Sequence, residues 1–242
     1  MRLSRFSLLT EPSGVVHLYW RCHNKEFLLK RFGDKALFFQ SLIRGLKHKN
    51  TDNSVDLHAF CLMDNHVHQL MAYRNGAVKL SHFMRVAHGI FGALFNKAHK
   101  RTGKVANERP KTPLIGDLKS EIRTHFYIEA NPVRARKTQL EKLRNDKYNS
   151  YRYFAYGEVD PITENITPPE WYLGLAKTPE KRQKLYRELF MQYLCTGKEF
   201  AARFFKPFIG SIEWIQERKK ALSDLLAENR VTSQSAQAPP GS

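Results

Sequence analysis

Residues 54–73 read SVDLHAFCLMDNHVHQLMAY, and this stretch limits the fold more than any other part of the chain. Two runs rich in apolar and aromatic residues flank Met63-Asp64-Asn65. Asp and Asn favour tight reversals because their short polar side chains bond the local backbone. The pattern predicts two strands, SVDLHAFCL and HVHQLMAY, joined in tight antiparallel fashion at 63–65. Side chains alternate faces along a strand. His66 and His68 therefore point one way and Val67 points into the opposite, apolar side. Two imidazoles held like this are near enough to share a metal ion. Taken alone, His-x-His fits two ordinary, partly exposed strand histidines as well. His58 and Asp64 lie nearby as further donors, although counting parity does not place His58.

Strand-like and helix-like segments alternate along the rest of the chain. Residues 14–22 (GVVHLYWRC) are rich in β-formers and follow a Pro-Ser-Gly turn signal. Residues 34–49 have apolar positions at helical spacing, with Asp34 as N-cap, and 79–101 have a broad apolar stripe with Ser81 near the cap. The loop 102–116 has room for one short strand. Residues 117–131 read as a helix capped by Asp117 and stopped by Pro132. Leu118, Ile122, Phe126 and Glu129 fall on one side of it. Arg123, Tyr127 and Asn131, spaced i, i+4, i+8, fall on another. Past about 155 a linker-like passage leads to amphipathic helices at 180–194 and 212–229. The expected division is a catalytic domain over 1–157, a helical extension over 158–230 and a disordered tail over 231–242. The class is α+β: a small antiparallel sheet with packed helices.

Charge narrows the partners. Lys and Arg number 40 against 23 Asp and Glu, a formal net charge of +17. Such a chain attracts polyanions, and basic residues recur beside aromatics, so nucleic acid is the expected partner. The three cysteines are far apart and have no CxxC spacing, which argues against a disulfide framework or a zinc–thiolate site. The opening residues lack a signal-peptide core and no run suits a membrane span, so the expected location is cytoplasmic, nucleoid-associated when bound to DNA.

Two imidazoles with an amide or carboxylate oxygen and waters suit a labile divalent ion, Mg²⁺ or Mn²⁺, which can polarise a phosphodiester oxygen. Asn131 is a candidate third ligand. Tyr127, one turn earlier on the same face, is a candidate nucleophile; packing at the surface is the plain alternative. Arg123 shares that face. Arg134, Arg136 and Lys137 follow, and Lys100, Arg101 and Lys104 mark a helix end and loop suited to phosphate contact. Tyr151 and Tyr153 are candidates to stack on unpaired bases, although core packing is the expected role for at least one of them.

Together, LHAFCLMDNHVHQLM, FYIEANPVRARK and YNSYRYFAYG resemble, in order and spacing, the motifs of the single-tyrosine HUH transposases. The resemblance runs from about residue 12 to 157. The nearest branch is that of the REP-associated tyrosine transposases, whose helical C-terminal extension YRELFMQYL and FIGSIEWIQERKKAL resemble more weakly. The resemblance implies a ferredoxin-like sheet with helices packed on it. It implies a tyrosine that attacks single-stranded DNA near a REP-type hairpin, leaving a 5′-phosphotyrosine link and a free 3′-OH. It makes His66, His68 and Asn131 metal ligands and Tyr127 the nucleophile, and it favours a monomer over a dimer. Asp64 stands where the family has proline, and Gln69 where it has an apolar residue. EANP replaces ELNP, and RARKT is more basic than the family's continuation. None of these removes a catalytic group. The alternatives are a domesticated, non-cleaving hairpin-binding protein and a replication initiator or relaxase with the same chemistry.

Overall fold

In the computed structural model the described residues are 5–106, 108–196, 204 and 206–235; for Phe6 and 229–235 the backbone alone is described. Helix α1 (Arg5–Leu8) precedes strand β1 (Gly14–Arg21). Helix α2 (Phe32–Leu46) leads to strands β2 (Val55–Leu62) and β3 (His66–Tyr73). Helix α3 (Ala77–Ala98) leads to the short strand β4 (Leu114–Ile115) and to helix α4 (Leu118–Arg134). Then come α5 (Leu140–Leu143), α6 (Tyr151–Tyr156), α7 (Glu170–Leu173), α8 (Pro179–Thr196), strand β5 (Phe208–Ile209) and α9 (Ile212–Ser235).

The strand order is β2-β3-β1-β4-β5. The first four strands pair antiparallel and arise from a βαββαβ succession, the ferredoxin-like plan. β5 joins β4 in parallel, so the sheet is not wholly antiparallel as expected. Its two residues are too few to carry a periodic signal.

Register decides which side chains share a face. Across β1 and β3, His17 opposes Leu70, Tyr19 opposes His68 and Arg21 opposes His66. Val16, Leu18 and Trp20 point to the other side and are buried. There Trp20 meets Phe38 of α2 and Phe91 of α3, with ring centroids 5.5 and 5.7 Å away. Helix α4 covers the histidine face, where the Tyr127 and His68 rings lie 5.6 Å apart. The central strands are thus covered on both sides, and β3 is buried along nearly its whole length, its polar His68 and Gln69 included.

The β2–β3 register slips between Leu57 and Ala59, leaving His58 as the extra residue of a bulge. Parity reverses there. Cys61 comes to oppose His68, while Phe60 turns towards Phe39, 5.0 Å away between ring centroids. The His58 Nδ1–H donates to the Thr167 carbonyl at 2.7 Å, so His58 serves the C-terminal passage rather than the His66–His68 pair.

Several boundaries differ from expectation. Asp34 sits inside the first turn of α2, bonded to His99 Nε2 at 2.6 Å, and is not the cap. Helix α3 starts earlier, after Gly76, whose φ of 85° suits glycine. Leu118 is 58% exposed and lies outside the buried stripe of α4. Pro132 does not stop α4, which runs on to Arg134. Tyr151 is core, packed on Phe190 at 4.5 Å, so it does not face a base. Helix α9 continues to Ser235, through the start of the expected disordered tail; residues 236–242 lie outside the described ones.

A buried carboxyl fastens the C-terminal helices to α4. Glu129 accepts from Ser150 Oγ at 2.6 Å and from the Tyr186 hydroxyl of α8. His125 Nε2 is 3.3 Å from the same group but out of line for a hydrogen bond. Gln69 is the counter-case. It is buried on the α2–α3 side, and neither its Oε1 nor its Nε2 has a hydrogen-bond partner. A buried polar group left unpaired costs about 1–3 kcal/mol. Gln69→Leu should therefore raise the unfolding free energy by about that amount in denaturant titrations. An unchanged or lowered value would show that the amide is satisfied in solution.

Candidate active site

The site lies where α4 crosses the first half of β3. His66 and His68 have ring centroids 4.9 Å apart and nearly perpendicular planes, as same-face neighbours on a strand should. Each uses Nδ1 for a hydrogen bond. His66 Nδ1–H donates to Asn65 Oδ1 at 2.6 Å. His68 Nδ1 lies 2.8 Å from His17 Nε2, and His17 Nδ1 lies 3.0 Å from the Phe204 carbonyl. A carbonyl can only accept, so His17 carries its proton on Nδ1. Burial pushes the His17 pKa down to about 4, although the Phe204 carbonyl opposes the shift, so the ring is neutral near pH 7. Its Nε2 must then accept from His68 Nδ1–H. The chain of bonds leaves the lone pair of His68 on Nε2, and Asn65 does the same for His66. Two neutral imidazoles with oriented Nε2 lone pairs are what a divalent ion requires.

Burial, then the positive charges of Arg21 and Lys137, push His66 down to about 4 against the pull of Asp64. Burial, then His17, His66 and Arg21, hold His68 well below the usual histidine range.

Tyr127 is buried, 5% exposed. Its ring stacks on Phe204 at 4.1 Å and 19° and meets His17 and His68 edge-on. Burial raises its phenol above the ordinary tyrosine range, and Arg134 pulls the other way. The Arg134 guanidinium carbon is 5.2 Å from the Tyr127 ring centroid, and its Nη1 donates to the Tyr193 hydroxyl at 3.2 Å.

Asn131 explains why Pro132 is tolerated. Proline has no N–H for the Ile128 carbonyl. Asn131 Nδ2 reaches back instead, to Tyr127 O at 2.8 Å and Ile128 O at 3.3 Å. Both partners are acceptors, so the amide nitrogen is committed to the helix and Oδ1 is the atom that can serve a ligand. Further along, Lys137 ion-pairs with Asp64, which also lies 3.4 Å from Lys35 of α2. Burial favours the neutral Asp64 carboxyl, but the two lysines outweigh it and lower its pKa. The order Tyr127 and Asn131 on α4, then Lys137 just after it, thus runs against His68, His66, Asp64 along the hairpin. Asn131 falls between the His68 contact and the Asp64 ion pair.

Other expected positions scatter. Arg123 lines a cavity beside Phe204, one helical turn before Tyr127. Arg136, with φ 55°, lies just past the end of α4. Arg101 approaches Glu26 at 3.8 Å and the Lys104 carbonyl at 3.4 Å, on the loop after α3 with Lys100. Residues that no motif marked are His17, Tyr19, Arg21 and Phe204. The first three alternate in HLYWR, so their shared face was in the sequence; the register that sets them opposite His66 and His68 was not. Arg21 is exposed, its guanidinium carbon 5.4 Å from the centre of the Tyr19 ring.

Among the described residues, no three His, Cys, Asp or Glu side chains surround a common metal position. A divalent ion here would rest on His66, His68 and the Asn131 amide, a set that fits Mg²⁺ or Mn²⁺ with water completing the shell. No described helix is long and apolar enough to cross a membrane.

No family model and no curated protein matches the chain. A solved structure of a REP-associated tyrosine transposase bound to a REP hairpin is similar to it. The TM-score is 0.50 at 15% identity, and the match covers 70% of this chain and 92% of the other. At that identity the likeness is one of fold: an α+β protein built as such transposases are.

The buried histidines make stability depend on pH. Burial is the main force that pushes His17, His66 and His88 down from the ordinary 6.5 to about 4, 4 and 3. The unfolded chain binds more protons than the folded one in this window, so stability falls as pH drops from about 6.5 towards 4. Denaturant unfolding in chelator at pH 7 and pH 5 should differ by roughly 1–2 kcal/mol per such histidine. Equal stability at both pH values would contradict neutral, buried rings.

Proposed function

We propose that this protein is a divalent-metal-dependent, single-stranded DNA endonuclease and strand transferase. It acts at or near REP-type hairpins, with Tyr127 as nucleophile. The convergence of Tyr127 with His66 and His68, each with its Nε2 lone pair oriented, carries the reading. The similar transposase structure, which holds a REP hairpin, supports the class of substrate.

Tyr127 Oη attacks the phosphorus, an O–P bond forms and the P–O3′ bond breaks. The products are a 5′-phosphotyrosine and a strand ending in 3′-OH, the leaving oxygen having taken up a proton. The link keeps the phosphodiester energy for rejoining to another 3′-OH. Arg134 favours the phenolate and Arg21 is placed to hold the scissile phosphate. Asn131, His66 and His68 would hold the ion, which supplies polarisation of a non-bridging phosphate oxygen. Phe204 must leave the Tyr127 ring, or slide along it, for the phosphate to enter.

The test is incubation of the full chain with hairpin oligonucleotides that carry single-stranded flanks, with Mg²⁺ or Mn²⁺. A covalent protein–DNA adduct should form and map to Tyr127, and Tyr127→Phe should abolish it. His66→Ala or His68→Ala should lower its rate at least about 100-fold, the scale of losing an essential electrostatic group. Hairpin binding without any adduct, indifferent to metal and to Tyr127, would select the non-cleaving binding protein instead.

A further inference from the structure

One cavity of about 690 Å³ opens beside the site, between the start of α4, the β5 segment and α9. Its character is mixed. Phe204, Ile209, Ile215 and Leu222 supply apolar wall, while Lys119, Arg123, Lys206 and Lys219 supply positive charge. Asp117 is the one acidic residue lining it among the described residues. That carboxylate is already committed to Ser120, through the backbone N–H at 2.8 Å and the hydroxyl at 3.0 Å. Four cationic side chains against one carboxylate leave the lining net positive around a partly apolar interior. Its size is in the range of sites that enclose small organic ligands.

Position links it to the chemistry. Phe204 lines the cavity with the same ring that stacks on Tyr127. Arg123 precedes Tyr127 by one helical turn, about 5–6 Å along the axis. A strand with its phosphate at Tyr127 has its neighbouring nucleotide within reach of the cavity. The back of this region is also built tightly: a Cβ on Gly116 or Gly210 would meet the Trp214 ring at 2.3 or 2.7 Å. Both glycines thus let the indole seat against the β4 and β5 ends and hold α9 in place as a wall.

We propose that this cavity receives an unpaired nucleotide of single-stranded DNA adjacent to the phosphate at Tyr127, its base against Phe204 and Ile215 and its phosphates on Lys119, Arg123, Lys206 and Lys219. The inference deepens the proposed function and rests on it for the direction of the strand. A small anion would use the charge but not the apolar wall. A neutral apolar ligand would use the wall but not the positive charge of Lys119, Lys206 and Lys219. A nucleotide uses both, through stacking and phosphate contact.

The test uses the full chain and single-stranded oligothymidylate carrying photoreactive 4-thiothymidine. Crosslinked peptides should come from 117–123 and 206–222. Lys119→Glu with Lys219→Glu, both exposed positions, should weaken oligothymidylate binding at least about tenfold at moderate salt and remove those crosslinks, with circular dichroism unchanged. Crosslinks confined to other parts of the chain, or unchanged affinity in the double variant, would overturn the proposal. Cavity crosslinks from a protein that forms no adduct on any DNA would uphold this site and refute the cleavage reading. An adduct formed by a protein with no cavity crosslinks would do the reverse.

Discussion

The hydrogen bond between His68 and His17 is the contact on which the site depends. It joins β3 to β1 on the face beneath α4, and His17 passes the bond on to the Phe204 carbonyl. One buried chain of imidazoles thus ties both central strands to the C-terminal segment. A neutral ring must place its one proton, and the carbonyl at the end of the chain leaves no choice about where. The same constraint keeps these rings uncharged, since burial makes protonation costly. Phe204 then contributes twice, by its carbonyl to His17 and by its ring to Tyr127.

Helix α4 is held against this frame at three levels. Glu129 anchors it inward through Ser150 and Tyr186. Asn131 repairs the carbonyl that Pro132 leaves without its donor, and in doing so fixes its own amide. Asp64 clamps the far end through Lys137, with Lys35 of α2 close by. An exposed ion pair contributes little to stability. Its effect here is geometric: the turn before His66 and the end of the tyrosine helix cannot move independently while it is made. Lys137, expected on a phosphate, is thereby occupied within the protein.

Much of this was legible in the chain. The alternation around Met63-Asp64-Asn65 identified the hairpin, and i, i+4 spacing put Tyr127 and Asn131 on one helix face. The α+β class followed from the order of strand-like and helix-like runs. What stayed hidden depended on register or distance. His17 stands in a run of β-formers with nothing to mark it, and only pairing with β3 brings it to His68. The bulge at His58 is one residue in a regular strand pattern, and it inverts every parity argument beyond it. Pro132 looked like a stop because its missing donor is a local fact, whereas the compensating Asn131 amide is a matter of rotamer. Strand β5 and the seat of Phe204 come from a segment whose sequence has no period to read.

The arrangement of protons on the three rings is the most direct measurement of the central claim. Long-range ¹H–¹⁵N correlation spectra of the metal-free protein near pH 7 report which nitrogen of each histidine carries its proton. His17, His66 and His68 should all be neutral with the proton on Nδ1, and His17→Phe should release His68 to the other tautomer or to exchange between the two. A His68 ring protonated on Nε2 in the intact protein, or charged, would contradict the proposal that this nitrogen is presented to a metal.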